Sequence, residues 1–501
     1  MTRPSNSTLK TPTHWVREAR CCGLWVGAEE AVDALRKALM IDPKLSWVYS
    51  ELRGTLRLLG RDLEALAEFD RALVIDPSNT NARLGLGEVL CQLDYVEEVL
   101  ELLEPLEQDK RTKRDQRAIA LARGGEALCA MARFDEADSL LRQAIALDDR
   151  IGWFHYLRGR ALENLDRAGQ ALSAYQLAME RLPSDENFWE RKGVANALYL
   201  DGQLEKAKQE YQQVIDTVTS RIPSLDVDTL SLLGWCHYRL GKFDQALRLL
   251  MQAQNLNPAD IPNQFDVSLV LLGLKRNELA VREYERAVEA THGHEISRRR
   301  GIYQIAINDL EVARREGKEL ADSTGAAMAH VLLEKAQNQT LELLREMEKF
   351  TLRVRRSIEI CASPGTVYRF LNQFEKYPEF CGDVRAVASK GDRRLSWKTV
   401  DGGGQEVEWE AEILQSFPNS RLSWRSTTPT GWCCSMTIAP IPNATWLIVH
   451  RSYVPEMIGP DRAAASKLVA QRLVSDLEKL KWLIETRSRI GSPSLAGSTA
   501  G

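Results

Sequence analysis

The chain has 501 residues, too many for a single hydrophobic core, and its 44% hydrophobic and 27% charged content is ordinary for a water-soluble protein of two or more units. A formal net charge of −4 provides no general attraction toward nucleic acid or an anionic membrane. No window approaches the roughly 18 consecutive apolar residues of a membrane span, and the N-terminus lacks the apolar segment of a secretory leader, so a cytoplasmic location is expected.

Nine cysteines are present, but Cys21–Cys22 and Cys433–Cys434 are adjacent pairs, the others are solitary and no C-x-x-C occurs. Reduced, buried thiols are expected rather than disulfides or a zinc site. His292-Gly293-His294 has no Cys or carboxylate cluster beside it and reads as a solvated turn, so no metal is expected. Neither a G-x-G-x-x-G fingerprint nor a P-loop is present, and no cofactor is expected.

In chain order, residues 1–11 are rich in Ser, Thr and Pro and read as a disordered tail. From residue 12 to about 294 a 34-residue unit recurs. Its cleanest copy has Leu230, Leu233, Gly234 and His237 one turn apart, then a break at Gly241–Lys242. Phe243, Ala246, Leu250 and Ala253 follow at helical spacing, and Asn257–Pro258 ends the second helix. Residues 46–79 repeat the pattern with Leu52, Leu56, Gly60, Ala65, Phe69, Ala72 and Pro77. Residues 152–185 do so with Gly159, Leu162, Ala171, Tyr175, Ala178 and Pro183. Further copies start near Pro12, Thr80, Ala118, Phe188 and Ile261. In the copy at 80–113, Val99 replaces the usual small residue and Pro105 is expected to interrupt the second helix and loosen its packing. Such helix pairs cannot bury their apolar faces alone, so copies must stack. The shared small, aromatic and proline positions resemble the tetratricopeptide repeat (TPR), with about eight copies over 12–294, which implies an all-α solenoid.

In arrays of that type the first helix of each pair lines a concave groove. The resemblance places Trp153, Tyr156 and Arg160, then Trp189, Lys192, Asn196 and Tyr199, then Trp235, Tyr238 and Arg239 on it. Rings interleaved with cations suit an extended peptide with apolar side chains and acidic groups, so a protein or peptide partner is expected there. Lys192 and Asn196 echo half of the carboxylate clamp of chaperone-binding repeats, but Leu232 stands where the clamp needs an amide. In the segment 295–350, residues 297–316 and 326–350 read as two helices that cap the last repeat. The run Arg298-Arg299-Arg300 reads as a solvated helix face.

At Thr351 the apolar period changes from 3.6 to 2. A strand over 351–360 is followed by a helix opened by Ser363–Pro364, then six strand-like runs divided by Gly, Pro and Asn turns, and a long helix from about Ala463 to Arg489. An antiparallel sheet gripping the helix through Leu468, Val469, Leu473, Leu477, Leu480 and Ile484 is the economical packing. Residues 357–387 and 406–424 resemble the START-like helix-grip superfamily, in its polyketide cyclase/dehydrase and coenzyme-Q-binding branch. The resemblance covers about 351–490, leaving 491–501 as a disordered tail, and implies a cavity for a lipid, quinone, polyketide or other apolar molecule. The whole chain therefore reads as multidomain: an N-terminal all-α TPR solenoid and a C-terminal α+β helix-grip domain.

Strand alternation assigns the cavity side chains. Trp397, Trp409, Trp424, Trp432 and Met436 fall on the inward face, with Glu406, Glu408, Glu410 and Glu412 on the opposite, wet face. Arg356 falls in phase with Val354 and Ile358, and Arg451 with Leu447, Val449 and Tyr453, so each can point a guanidinium inward to orient a ligand oxygen; the alternative is an edge-strand arginine that snorkels to solvent. No nucleophilic triad is legible: His450 is out of phase with the apolar residues, Asp383 has no histidine partner by motif, and the catalytic residues are unknown. The expected function is an adaptor whose repeats bind a protein and whose C-terminal domain binds an apolar small molecule. The alternative is an aromatase or cyclase tethered to a partner complex by the repeats.

Overall fold

The structure is a computed structural model that describes residues 28–490 apart from 43–44, 110, 182–186, 222–224, 295, 317–322, 348–349, 351, 392, 401–403, 429–430 and 455–461. The two expected tails and the first helix of the copy near Pro12 lie outside these residues. Helices pair along the chain as α1 (Ala28–Ile41), α2 (Ser46–Leu58), α3 (Asp62–Ile75), α4 (Thr80–Gln92), α5 (Val96–Gln108), α6 (Arg114–Ala130), α7 (Phe134–Leu147), α8 (Gly152–Asn164), α9 (Ala168–Arg181), α10 (Phe188–Leu200), α11 (Leu204–Arg221), α12 (Val227–Arg239), α13 (Phe243–Leu256), α14 (Ile261–Gly273) and α15 (Asn277–Ala290). Two longer helices, α16 (Ile296–Glu316) and α17 (Thr324–Met347), follow.

The hairpin turns share one device. Gly60, Asp94, Ala132, Asp166, Gly202, Gly241 and Lys275 all adopt φ between 55° and 79°. At each, the next residue's N–H donates to a carbonyl five residues back, as in Arg61 to Leu56 (2.8 Å) and Gln203 to Leu198 (2.9 Å). This is a Schellman closure, which satisfies the last carbonyls of the first helix. Pro105 does not interrupt α5, which runs three residues past it, and Val99 is fully buried. A proline so close to a helix C-terminus removes a single N–H donor.

The contacts divide the chain into two compact units, residues 90–344 and residues 1–89 with 345–501. The change of period in the sequence lies at Thr351. In the first unit small residues sit where helices touch: the Tyr175 ring lies against both Gly159 and Gly193, and Leu250 against Gly234. Helix α17 covers the last pair, with Ala326, Ala329 and Leu333 sharing a core with Ala280 and Tyr284, as expected of a cap.

Helix α16 does more than cap. It packs on α14 but also reaches α5 and α6, so it runs along the face presented by the first helices of the repeats. Ser297 donates to Glu97 (2.6 Å), Arg298 to Asp94 (2.9 Å) and to the Ala130 carbonyl (3.3 Å), and Asn308 to Asn164 (3.3 Å). The arginine run is therefore not a solvated face: Arg299 is buried and donates to the carbonyls of His292 (2.7 Å) and His294 (2.9 Å). Gly301 is what permits the approach, because a Cβ there would overlap the Ala130 carbonyl, which is backbone and has no rotamer to yield. Gly301→Ala should cost about 2 kcal/mol or more, seen as a lower urea midpoint and earlier proteolysis within 296–316; an unchanged midpoint would mean the helix does not sit this deep.

In the other unit, β1 (Leu352–Ile360), α18 (Pro364–Leu371), β2 (Val384–Ser389), β3 (Arg394–Val400), β4 (Glu406–Phe417), β5 (Arg421–Ser426), β6 (Trp432–Ile441), β7 (Ala444–Tyr453) and α19 (Arg462–Ile490) build an antiparallel sheet of order β1-β7-β6-β5-β4-β3-β2. Ser363 caps α18, accepting from the Thr366 N–H, and the helix stops at Leu371 before a 3₁₀ turn containing Pro378. Val469, Leu473, Leu477, Leu480 and Ile484 of α19 join the core on the inner face, while Leu468 is partly exposed. On the outer face β6 and β7 are not wet: Cys433, Trp446 and Ile448 are buried, and α3 packs against β6. Asp70 of α3, fully buried, accepts from the Trp446 indole (2.7 Å) and from Arg355.

Candidate functional site

The inner face of the sheet carries a chain of aromatic rings. Trp397 and Trp409 are cross-strand partners and stack with centroids 5.1 Å apart, because paired residues on one face of antiparallel strands bring their side chains together. Trp424 stacks on Trp397 at 5.7 Å, Trp432 meets Trp409 at 4.9 Å, and Tyr453 meets Trp432 at 6.0 Å. Tyr377 and Phe374, from the 3₁₀ turn, close the cluster edge-on, and Met436 is buried with it. Trp409 donates to Thr399 (2.9 Å). The indole N–H groups of Trp397, Trp424 and Trp432 and the Nε of Arg451 are buried with no acceptor among the described residues.

Arg451 points inward as its register requires. Its Nη1 donates to Asp476 of α19 (2.8 Å), its Nη2 to the Cys381 thiol (3.4 Å), and its guanidinium lies 5.8 Å from the Trp432 ring centroid. Arg356 does not join it. It lies exposed on edge strand β1 and donates to the carbonyl of Arg355. Among the described residues no ion pair is formed by Arg356, and an unpaired guanidinium is too costly to bury. His450 is on the outer side, 3.2 Å from Arg355, and Asp383 pairs with Arg472 at 3.0 Å. Burial pushes the Cys381 and Cys434 thiols up to about 12, so neither offers a thiolate nucleophile near neutral pH.

In the repeat unit the groove-facing residues meet α16. A cavity of about 420 Å³ remains between them, lined by Tyr156, Arg160, Trp189, Lys192, Asn196 and Trp235 among those expected from sequence. The remaining four are used differently. Trp153 lies under the Arg123 guanidinium at 4.6 Å, Arg239 sits 3.4 Å from the Tyr199 ring, and Tyr238 packs between Trp235 and Phe243. Asn196 is no free clamp amide: it is buried, accepts from Tyr211 (2.6 Å) and Trp235 (3.2 Å), and donates to Glu163 (2.7 Å).

Asp266 and Asp309 also line the cavity. Burial raises Asp266 well above the usual carboxylate range and Asp309 to about 7, each against the pull of Lys192. Both interrupt apolar stripes, Asp266 within Phe265–Leu272 and Asp309 between Ala306 and Ala313, and that interruption was the available signal in sequence. No group of three or more metal-ligating side chains occurs among the described residues.

Comparison with known proteins matches residues 360–478 to the polyketide cyclase/dehydrase and lipid transport family and residues 227–260 to the tetratricopeptide repeat. The uncharacterized 17.2 kDa protein in the melC2-rnhH intergenic region of Streptomyces lincolnensis is 26% identical over 141 residues, 27% of this chain and 92% of its own length. DnaJ homolog subfamily C member 7 of Homo sapiens is 21% identical over 406 residues, 68% of this chain and 81% of that protein. A START superfamily protein from Mycobacterium smegmatis aligns over 28% of this chain and 99% of its own, with 19% identity and a TM-score of 0.23. The chain thus carries a segment that matches the tetratricopeptide repeat and, toward its C-terminus, one that matches the polyketide cyclase/dehydrase and lipid transport family.

Proposed function

We propose that the helix-grip interior binds an apolar molecule carrying hydrogen-bond-acceptor oxygens, and that the repeats are the part of the chain that engages a protein partner. The observation that carries the ligand reading is the set of buried donors without acceptors: three indole N–H groups and the Arg451 Nε, all on one apolar face. A buried donor left unsatisfied costs about 1–3 kcal/mol. A carbonyl or quinone oxygen placed among them relieves that cost, whereas a hydrocarbon does not. Binding rather than turnover is favoured because Arg451 is already held by Asp476 and the nearby cysteines are protonated. For the repeats, α16 shares the lining of the cavity that holds Trp189 and Trp235, which argues against an extended peptide threading past them, so the partner engages the array away from that stretch.

The test uses the full chain and its tryptophan fluorescence. A naphthoquinone with an alkyl tail should quench it saturably and bind at least about tenfold tighter than an alkylnaphthalene of the same size, the equivalent of about 1.4 kcal/mol. Trp424→Phe, which removes one donor and keeps an aromatic, apolar side chain, should narrow the gap. Equal affinity for the two probes, or no saturable binding of either, would overturn the reading.

A further inference from the structure

The cavity of the repeat unit can be considered independently of anything the helix-grip interior binds. Most polar groups on the wall of the 420 Å³ cavity are already engaged. Glu163 accepts from Tyr175 (2.6 Å) and Asn196 (2.7 Å), and Asp94 from Arg298 (2.9 Å). Four charged side chains are different: Arg160, Lys192, Asp266 and Asp309 line the cavity without a hydrogen-bonded or ion-paired partner among the described residues. They also fall into two groups. Arg160 has Tyr156, Tyr175 and Glu126 as its electrostatic neighbours, while Asp266 and Asp309 face each other and Lys192, whose ammonium sits 5.3 Å from the Trp235 ring centroid. The wall is also aromatic, with Tyr156, Trp189, Trp235 and Phe265.

A half-buried cation and a half-buried acid pair without hydrogen-bonded or ion-paired partners are both less favourable than paired ones. One molecule carrying both complementary charges and an apolar body satisfies all three features at once, and the volume is within the range of small-molecule sites. We propose that this cavity binds a small zwitterion of the amino-acid class, its ammonium on the Asp266–Asp309 pair, its carboxylate on Arg160 and an apolar side chain against the tryptophans.

The raised acid gives the binding a pH dependence with a definite sign. Asp309 is faced by Glu163 of α8, Lys192 of α10, Arg239 of α12 and Asp266 of α14, and burial among them holds its carboxyl near pH 7 in the empty protein. An ammonium favours the ionised form, so binding expels a proton below that pH and affinity rises as pH increases through it. From pH 6 to pH 8 the rise should be about tenfold.

The experiment is calorimetry on the full chain with three probes of one shape: phenylalanine, phenethylamine and 3-phenylpropionate. Phenylalanine should bind saturably and at least about tenfold tighter than either single-charge analogue, with the stated pH dependence. Asp309→Asn should weaken it about tenfold and flatten the dependence. Arg160→Met should weaken phenylalanine while leaving phenethylamine unchanged. If phenethylamine matches phenylalanine, the site is one for organic cations and the proposal fails; it fails equally if no probe binds. Should Asp309→Asn lose its helical circular dichroism, the three-probe ranking on the unaltered chain decides alone.

Discussion

Replacing Asp70 with alanine is expected to destabilise the unit formed by residues 1–89 and 345–501 by roughly 3 kcal/mol, although Asp70 lies in a repeat helix distant in sequence from its partners. Its carboxylate is completely buried between α3 and the outer face of the sheet. One oxygen accepts from the Trp446 indole at 2.7 Å and the other from Arg355. Removing it strands the indole N–H in a dry interface, while Arg355, about a third exposed, turns toward water at lower cost. Asp70→Asn keeps an acceptor for the indole and should lose about half as much. The neighbouring pair Arg71–Glu359, 3.7 Å apart with both side chains about two-fifths exposed, is the control: Glu359→Ala should cost under about 0.5 kcal/mol. Urea unfolding of the full chain, followed by tryptophan fluorescence, ranks the three. If Asp70→Ala is no worse than Glu359→Ala, the first repeats are not joined to the sheet through this residue.

The architecture was legible because it rests on periodicity. The 34-residue spacing, the change of period at Thr351 and the alternation of Trp397, Trp409, Trp424, Trp432 and Arg451 each follow from where a backbone directs successive side chains. Arg356 shows where alternation fails as a guide to burial: phase assigns a face, but an arginine at an edge leaves that face when it forms no ion pair. The groove shows a second limit. Offsets within a repeat identify which residues point inward, yet nothing in a repeat tells whether another helix of the same chain lies against them, and α16 does so through Arg298, Gly301 and Asn308. A third class of residue was visible but unread. Asp70, Asp266, Asp309 and Asp476 each interrupt an apolar helical stripe, and each is enclosed in the structure beside a base, an indole or another acid. A lone acid in an apolar stripe signals a partner elsewhere, and the periodicity that reveals the stripe cannot say which.

Loss of the Asp476 carboxylate should be the most damaging single change in the helix-grip domain, at roughly 3 to 5 kcal/mol. Asp476 lies on the buried face of α19, where Oδ2 accepts from Arg451 (2.8 Å) and Oδ1 from the backbone N–H of Gly382 (3.0 Å). It therefore ties the long helix both to β7 and to the turn before β2. In Asp476→Ala the guanidinium stays inside, with the Cys381 thiol as a weak acceptor and the Trp432 ring at 5.8 Å, and both are poor substitutes for a carboxylate. The partner change is expected to be milder: Arg451→Met leaves an acid that still accepts from Gly382 and can be protonated. The double variant Arg451→Met/Asp476→Leu should recover most of the loss, since an apolar pair of similar volume has no charge to desolvate. A double-mutant cycle by urea unfolding should give a coupling of at least about 2 kcal/mol. The same variants bear on ligand binding, because Arg451→Met removes one of the four unsatisfied donors and Asp476→Ala leaves it in place. If the oxygen-bearing probe loses its preference over the hydrocarbon in Arg451→Met but keeps it in Asp476→Ala, Arg451 contacts ligand; if both variants lose it together with stability, the pair acts only as the clasp between sheet and helix.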